Sequence, residues 1–265
     1  MTWLQSLILG LIQGATEFIP VSSSGHLTLV PWLLNWSFDP DLKFAFDVMA
    51  HWGTLIAVLV VFWSDLWALV RGWLRTLGLY VGSPGAPAED ALAVEAGTGP
   101  AQEGDHHRLS YTPGAIWART KTDADGRLAW LIIVGSIPAA VLGLLFEDFF
   151  EMLFGTPPLA SALLLVTAAL LAFSEWRGKQ GRDLPALTWF DAIFIGLGQA
   201  TAIAPGISRS GATMAAGLVR GVRRAAAARF SFLLSTPVIL GAGVWQLKDL
   251  LADSEWMAHP VSYTH

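Results

Sequence analysis

The chain has 265 residues, of which 54% are hydrophobic and only 14% are charged, and its formal net charge is −5. Because soluble domains carry about 25% charged residues, this composition is typical of a membrane protein. The small negative charge excludes a basic surface for nucleic acid, and the lack of cysteine excludes disulfides, thiolate catalysis and cysteine-bound metals. We therefore expect an all-α, polytopic membrane protein whose main partner is the bilayer.

Four segments are long and apolar enough to cross the roughly 30 Å hydrocarbon core of a bilayer. They are residues 51–70, 128–146, 158–173 and 230–251. The chain between the first two, residues 82–126, is rich in Gly, Pro, Ala, Asp and Glu. This composition predicts a polar loop insertion, on the cytoplasmic side because Arg71 and Arg75 precede it.

Residues 1–35 and 187–218 are apolar but are interrupted by Pro, Gly and Ser. In a bilayer, broken backbone is tolerated only where protein or a water-filled cavity satisfies its polar groups. We therefore predict two broken, re-entrant helical segments. Basic turns follow the first and third spans, whereas the turn at residues 147–151 is acidic. By the positive-inside rule, the two broken segments enter the membrane from opposite sides.

The two broken segments also match each other in sequence at a single offset of 186 residues. This offset pairs Gln13 with Gln199, Ser22 with Ser208, Ser24 with Ser210, Gly25 with Gly211 and Phe44 with Phe230. The match predicts an inverted-topology repeat within one membrane domain, with repeat one at about 1–175 and repeat two at about 187–251. Because repeat one continues through two further spans, the repeat also predicts two closing helices that this sequence lacks.

The first broken segment contains the motif "QGATEFIPVSSSGH", residues 13–26. The i, i+4 spacing of Gln13 and Glu17 puts both on one helix face. A solvent-facing polar stripe is one explanation, but a carboxylate within a membrane segment is costly and usually functional. We therefore expect Glu17 to bind a divalent cation or to transfer protons.

Three serines and a histidine follow in the same motif. Ser22 and Ser24 either cap the next helix or bind substrate. His26 lies three residues after Ser23, within reach in a helical turn, and imidazole is the usual base that activates a serine. A histidine that only hydrogen-bonds a neighbour is the alternative. We favour catalysis by Ser23 and His26.

The second broken segment contains "PGISRSGAT", residues 205–213. Small residues let the backbone approach a ligand, and a helix start directs free N–H groups at an anion. Arg209 adds a planar fork that suits phosphate oxygens. It could instead anchor the chain at the cytoplasmic surface, but its repeat equivalent is Ser23, which favours the same cavity. The expected substrate-binding residues here are Gly206, Ser208, Ser210 and Thr213.

Other polar residues give weaker signals. Asp47 and His51 are ambiguous and could equally lie at the membrane interface. The arginines at residues 220–224 favour a cytoplasmic turn rather than a site.

Both motifs resemble the signatures of the bacterial undecaprenyl-diphosphate phosphatase family, the integral-membrane type associated with bacitracin resistance. "RFSFLLSTP", residues 229–237, is similar to that family as well. The resemblance extends to about residue 251, short of the last two family helices. It implies hydrolysis of undecaprenyl diphosphate to the monophosphate at the bacterial plasma (inner) membrane, which recycles the lipid carrier for cell-wall synthesis.

The resemblance also implies roles for the motif residues. Arg209 would hold the diphosphate, Glu17 with Gln13 would bind Mg²⁺ or Ca²⁺, Ser23 would attack the terminal phosphorus, and His26 would handle protons. A covalent phosphoseryl intermediate and a positioned water are both open.

Two further alternatives concern the whole chain. Inverted repeats with broken helices are also found in transporters, so a carrier or flippase for a lipid phosphate or another anion is the competing function. The sequence does not fix the oligomeric state, for which a homodimer is one alternative.

Overall fold

The computed structural model describes residues 1–79, 112–154 and 156–252, and its regular elements there are helices. In chain order the α-helices are α1 (Trp3–Thr16), α2 (Ser23–Leu33), α3 (Pro40–Val61), α4 (Trp63–Leu77), α5 (Pro113–Thr122), α6 (Ala124–Leu145), α7 (Glu147–Phe154), α8 (Pro157–Arg177), α9 (Trp189–Thr201), α10 (Arg209–Val219) and α11 (Arg224–Ala252). A short 3₁₀-helix at Leu184–Ala186 precedes α9.

Four of the described helices are long and apolar enough to cross a membrane. They are α3, α6, α8 and the Arg224–Lys248 part of α11, with mean hydropathies between 1.5 and 2.3. These helices confirm the prediction of an all-α, multi-pass membrane protein.

The first span is displaced from its predicted bounds, residues 51–70. Its helix, α3, begins earlier, where the Asp39 side chain caps it by accepting from the backbone N–H groups of residues 41 and 42. The ion pair of Lys43 with Asp47, at 2.5 Å, lets both charged residues lie inside the helix. The helix ends at Val61, with Phe62 as its C-cap, so the predicted bounds are wrong at both ends.

The predicted loop at residues 82–126 contains a helix in its C-terminal part. Thr112 caps α5 by accepting from the N–H of Ala115, and Pro113 occupies the first helical turn, where its missing N–H is harmless. The loop prediction is therefore wrong for residues 113–122, where Pro and Gly mark a helix start rather than a break, and for residues 124–126, which begin α6. Residues 82–111 lie outside the described part of the chain.

The described helices form two compact units, residues 1–62 with 133–252 (the large unit) and residues 63–132 (the small unit). In the large unit, α10 packs against α8, α9 and α11, while α2 packs against α1 and α8. All residues of α10 from Ser210 to Leu218 are buried. This central position of α10 brings the second predicted motif into the core of the unit.

Residues related by the 186-residue offset form the same local structures. Helices α2 and α10 both have 11 residues and begin and end at equivalent positions. Thr2 and Thr188 both cap the preceding helices, α1 and α9, with a capping box. Ser22 and Ser208 are the N-caps of α2 and α10, and each accepts from the N–H three residues on.

In the small unit, an ion pair between Arg75 of α4 and Asp123 joins α4 to the junction between α5 and α6. Arg75 donates from Nε to Asp123 Oδ2 at 2.5 Å and from a terminal nitrogen to Oδ1 at 3.1 Å, and the Gly126 N–H donates at 2.8 Å. Burial raises the pKa of Asp123, but the hydrogen bonds from Arg75 and Gly126 outweigh it, so this pKa lies below its usual range.

We expect Asp123→Asn to destabilise the protein at pH 7 by about 1–3 kcal/mol, because Arg75 loses its charged acceptor. Since the pKa of Asp123 is lower in the folded than in the unfolded chain, its stabilisation is full above about pH 4 and is lost as the pH falls through the folded pKa. The difference in melting temperature from wild type should therefore shrink only below about pH 4. A difference that stays constant from pH 7 to pH 3 would contradict this. Asp125→Asn is the matched control, because Asp125 is half exposed and 3.5 Å from Arg75.

Candidate active site

The buried carboxylate of Glu17 lies at the centre of the candidate site. Glu17 is the C-cap of α1, and its side chain is 5% exposed. Its Oε1 accepts from the guanidinium of Arg209, 192 residues away in the chain. Its Oε2 accepts from Gln13 Nε2 at 2.8 Å and from Ser23 Oγ at 2.5 Å. Residues of both motifs therefore meet on one carboxylate. The sequence predicts a shared cavity for Ser23 and Arg209, but not their contacts with Glu17.

His51, which the sequence leaves ambiguous between a site and the membrane interface, also lies beside this carboxylate. Its Nε2 is 4.0 Å from Glu17 Oε2, and its Nδ1 is 2.7 Å from the carbonyl oxygen of Asp47. A carbonyl only accepts, so Nδ1 carries the hydrogen and Nε2 faces Glu17. The sequence feature that could have indicated a functional position is a histidine one helical turn after an aspartate within a membrane span.

His26 is held in the same way but away from its predicted partner. Its Nδ1 lies 2.7 Å from the Ser22 carbonyl oxygen, so Nε2 is again the atom that can accept a proton. Among the described residues, no hydrogen bond joins His26 to Ser23. The Ser23 hydroxyl donates to Glu17 instead, which makes Glu17 the base nearest to the predicted nucleophile.

The serines that flank Ser23 and Arg209 act as caps and as links between the two turns. Ser22 and Ser208 each hydrogen-bond the serine two residues on, both at 3.2 Å. Ser24 Oγ accepts from the Gly206 N–H at 3.4 Å, and Ser210 Oγ donates to the Ile19 carbonyl at 3.5 Å. Each turn thus holds the other through an equivalent serine.

Thr213 lies outside the cluster around Glu17. It is 1% exposed, and its hydroxyl donates to the Arg209 carbonyl at 2.8 Å and pairs with Ser231 Oγ at 2.6 Å. This side chain joins α10 to α11, so in this structure its contacts are structural. Its partner Ser231 lies in the segment 229–237, for which the sequence indicates no role.

The two cap serines differ in backbone conformation. Ser22 has a φ of +67°, in the left-handed region that residues other than glycine rarely adopt, whereas Ser208 has a φ of −71°. Such a conformation costs about 1–3 kcal/mol and persists where the surrounding structure enforces it, often at functional sites. The strain lies immediately before Ser23.

The donor set fits a magnesium ion that is bound mainly by substrate and water. Gln13 Oε1 is buried beside Glu17 and has no hydrogen-bond partner in the described part of the chain. An amide oxygen next to a carboxylate suits Mg²⁺, which keeps several waters and binds through one or two protein oxygens and phosphates. The described residues contain no cluster of three or more His, Asp or Glu that could hold an ion by protein ligands alone.

Gly206→Ala should destabilise the protein and abolish the site. Gly206 has a φ of +96°, and a Cβ there would overlap the carbonyl oxygen of Ala160 in α8. We expect a loss of at least about 1–3 kcal/mol, measured as a lower melting temperature in detergent. Gly10→Ala is the control, because a Cβ at Gly10 meets no atom within 4 Å. Equal melting temperatures for the two variants would contradict the prediction.

Comparison with known proteins gives a family match over most of the chain. The family model described as "Bacitracin resistance protein BacA" matches residues 6–88 and 107–263. The unmatched residues 89–106 fall within the predicted loop insertion, and the match extends past residue 251, where the resemblance was expected to end.

Three relatives, each named undecaprenyl-diphosphatase, are similar over nearly the whole chain. The Moorella thermoacetica protein is 40% identical over 94% of this chain and 78% of its own length. The Desulforudis audaxviator protein is 42% identical over 92% of this chain and 75% of its own length. The Desulfatibacillum aliphaticivorans protein is 40% identical over 98% and 81%, respectively. This chain belongs to the bacitracin resistance protein BacA family.

Proposed function

We propose that this chain hydrolyses undecaprenyl diphosphate to undecaprenyl phosphate and inorganic phosphate in the bacterial plasma membrane, and so recycles the lipid carrier for peptidoglycan synthesis. Family membership and the names of the relatives support this function. The observation that carries it is the hydrogen bond from Ser23 to Glu17, with Arg209 on the other oxygen of the same carboxylate.

Glu17 is the proposed base for the nucleophile. A serine hydroxyl is a weak nucleophile until a base takes its proton, and Ser23 Oγ already donates to Glu17 Oε2. As Ser23 attacks the terminal phosphorus, the Oγ–P bond forms, the bridging P–O bond breaks, and the proton passes to Glu17. The leaving group is undecaprenyl phosphate, and water then releases phosphate from the serine. If a water molecule held by Ser23 is the nucleophile instead, the same Glu17 carboxylate would accept its proton.

Arg209 is the proposed phosphate-binding residue. Its guanidinium lies on Glu17 here, and its planar fork can bind two phosphate oxygens. Arg209 is also the first residue of α10, where free N–H groups and the helix dipole favour an anion. Charge that develops on the phosphoryl group is therefore stabilised at this helix start.

His26 is the proposed second proton carrier. Its Nδ1 hydrogen bond to the Ser22 carbonyl fixes the ring and keeps Nε2 available to take a proton from water or give one to the leaving group. We place it on the leaving-group side, since Glu17 already receives the Ser23 hydrogen.

Gln13 and Glu17 are the proposed ligands of a divalent cation. The Gln13 amide nitrogen donates to Glu17, which orients its free Oε1 beside the carboxylate. Mg²⁺ bound there, or Ca²⁺ in its place, would neutralise phosphate charge. Ser22, Ser24, Ser208 and Ser210 then shape the two turns around the phosphates.

We further propose that the repeat has inverted topology and that α1–α2 and α9–α10 are the two re-entrant segments. The equivalent helix bounds, the equivalent serine caps and the reciprocal serine links between the turns support this arrangement. Ser23 and Arg209 then occupy equivalent positions and approach Glu17 from opposite sides of the membrane.

Variants of the three central residues test the reaction. We expect Ser23→Ala and Glu17→Gln to lower the rate of phosphate release from a polyprenyl diphosphate in detergent by about 10²–10⁴-fold, because proton transfer to the base is lost. Arg209→Lys should cost about 10²–10³-fold, because a point charge replaces the fork. The control is Arg223→Lys, since Arg223 is exposed and pairs with exposed Asp183.

Undiminished release from Ser23→Ala or Arg209→Lys would reject the proposed site. A carrier or flippase for lipid phosphate requires anion binding by Arg209 but no nucleophile. Lipid movement across vesicles without phosphate release by the wild-type chain would therefore favour the carrier.

Single cysteines test the topology, because the sequence contains no cysteine. Ser37, between α2 and α3, and Lys179, after α8, are both exposed. We expect a membrane-impermeant maleimide to label Ser37→Cys in intact spheroplasts, and to label Lys179→Cys only after permeabilisation. The cysteine-free wild type controls for background. Labelling of both positions from the same side would contradict the inverted arrangement.

A further inference from the structure

Thr167 is a buried hydroxyl in a membrane-spanning helix that lies against the second motif. It is in α8, which packs on α10 and on α2, and it is 3% exposed. It lies outside both sequence motifs, and the proposed mechanism does not use it. Its contacts nevertheless lie next to the phosphate-binding residue.

The Thr167 hydroxyl uses both of its hydrogen-bonding functions on the turn that precedes α10. It donates to the Gly206 carbonyl oxygen at 3.1 Å and accepts from the Ser208 N–H at 3.0 Å. Its γ-methyl lies 3.1 Å from the position that a Cβ would take at Gly211. One side chain thus contacts the start and the end of the turn and the first turn of the helix.

Among the described residues, Thr167 is the hydrogen-bond partner of both the Gly206 carbonyl and the Ser208 N–H. Gly206 and Ser208 lie in the turn before α10, where no regular helix supplies hydrogen bonds, and both residues are buried. An unsatisfied buried backbone group costs about 1–3 kcal/mol, and more within a membrane. The turn at 206–208 therefore depends on a donor and acceptor from outside it.

The other hydroxyls of α8 do something different. Ser161 donates to the Pro157 carbonyl and Ser174 donates to the Leu171 carbonyl, both within α8. Bonding to a carbonyl three or four residues back is the usual solution for a hydroxyl in a membrane helix. The Thr167 hydroxyl instead bonds to the backbone of another segment, the turn at 206–208.

We propose that Thr167 is a positioning residue that fixes the 206–208 turn and thereby directs Arg209 to Glu17 and the phosphate. Ser208 caps α10, and Arg209 follows it directly, so a shift of the turn moves the first residue of the helix. Displacement of a substrate-positioning group by about 1 Å can cost about 10²-fold in rate. This inference rests on the proposed function for its effect on catalysis, but not for its effect on the turn.

The test compares Thr167→Val, which keeps the shape but removes both hydrogen bonds, with Thr167→Ser, which keeps the hydroxyl. We expect Thr167→Val to lower kcat/KM for phosphate release by about 10- to 100-fold and Thr167→Ser to stay within about threefold of wild type. Hydrogen–deuterium exchange of the peptide containing Ser208 should speed up only in the valine variant. Ser174→Ala, a buried hydroxyl change in the same helix, should alter neither measurement.

A double variant separates positioning from general loss of packing. If Thr167 acts through Arg209, Thr167→Val should cost little further activity in an Arg209→Lys background. Additive losses of activity in the double variant would overturn the proposal. So would a Thr167→Val variant whose rate and exchange equal those of wild type. A Thr167→Ser variant with the slower rate and faster exchange expected of Thr167→Val would overturn it as well. Thr167→Cys, whose thiol bonds weakly, takes the same tests if the valine variant does not fold.

The tests distinguish failure of the proposed phosphatase reaction from failure of the proposal for Thr167. A wild-type chain that releases no phosphate would reject the phosphatase reaction and the catalytic consequence of Thr167 together. The difference in hydrogen–deuterium exchange of the Ser208 peptide between Thr167→Val and Thr167→Ser would then decide by itself whether Thr167 fixes the turn.

Discussion

The ion pair between Glu17 and Arg209 is the interaction on which the rest of the large unit depends. Removing one partner of a buried pair leaves an uncompensated charge and costs about 3–5 kcal/mol, and the membrane makes an isolated carboxylate especially unfavourable. The chain must therefore bring two turns together that lie 192 residues apart. The close approach of Gly25 to the Gly206 backbone and the reciprocal bonds of Ser24 and Ser210 serve this single requirement.

The sequence predicts this arrangement to a large extent, because its main signals are local. Hydropathy indicates the four spans, although the bounds of the first are wrong, and the 186-residue offset indicates both turns. Capping is one of the two roles that the sequence leaves open for Ser22, whereas for Ser208 it indicates only substrate binding. A carboxylate such as Glu17 is conspicuous in an apolar segment. The residues that meet on Glu17 are therefore mostly those that the motifs single out.

The contacts that the sequence does not predict arise from packing between distant segments. Ser23 lies close enough to His26 in sequence to suggest a pair, but the fold of the first turn directs its hydroxyl to Glu17. Thr213 looks like part of a phosphate loop, yet α11 supplies Ser231 as its partner. Thr167 gives no sequence signal, since its bonds join residues about 40 positions apart. The prediction of helix boundaries is wrong for another reason. The charged pair Lys43 and Asp47 lowers the hydropathy at the start of α3, so a hydropathy window begins the span too late.

The contact of Arg209 with Glu17 has a consequence for turnover in the proposed reaction. An anion that enters the site must displace a carboxylate that is already bound to the guanidinium, so Glu17 is a tethered competitor of the ligand. A diphosphate offers many oxygens with which to displace it, whereas the inorganic phosphate product offers fewer. In the proposed reaction, the same ion pair would therefore favour departure of the product and limit product inhibition.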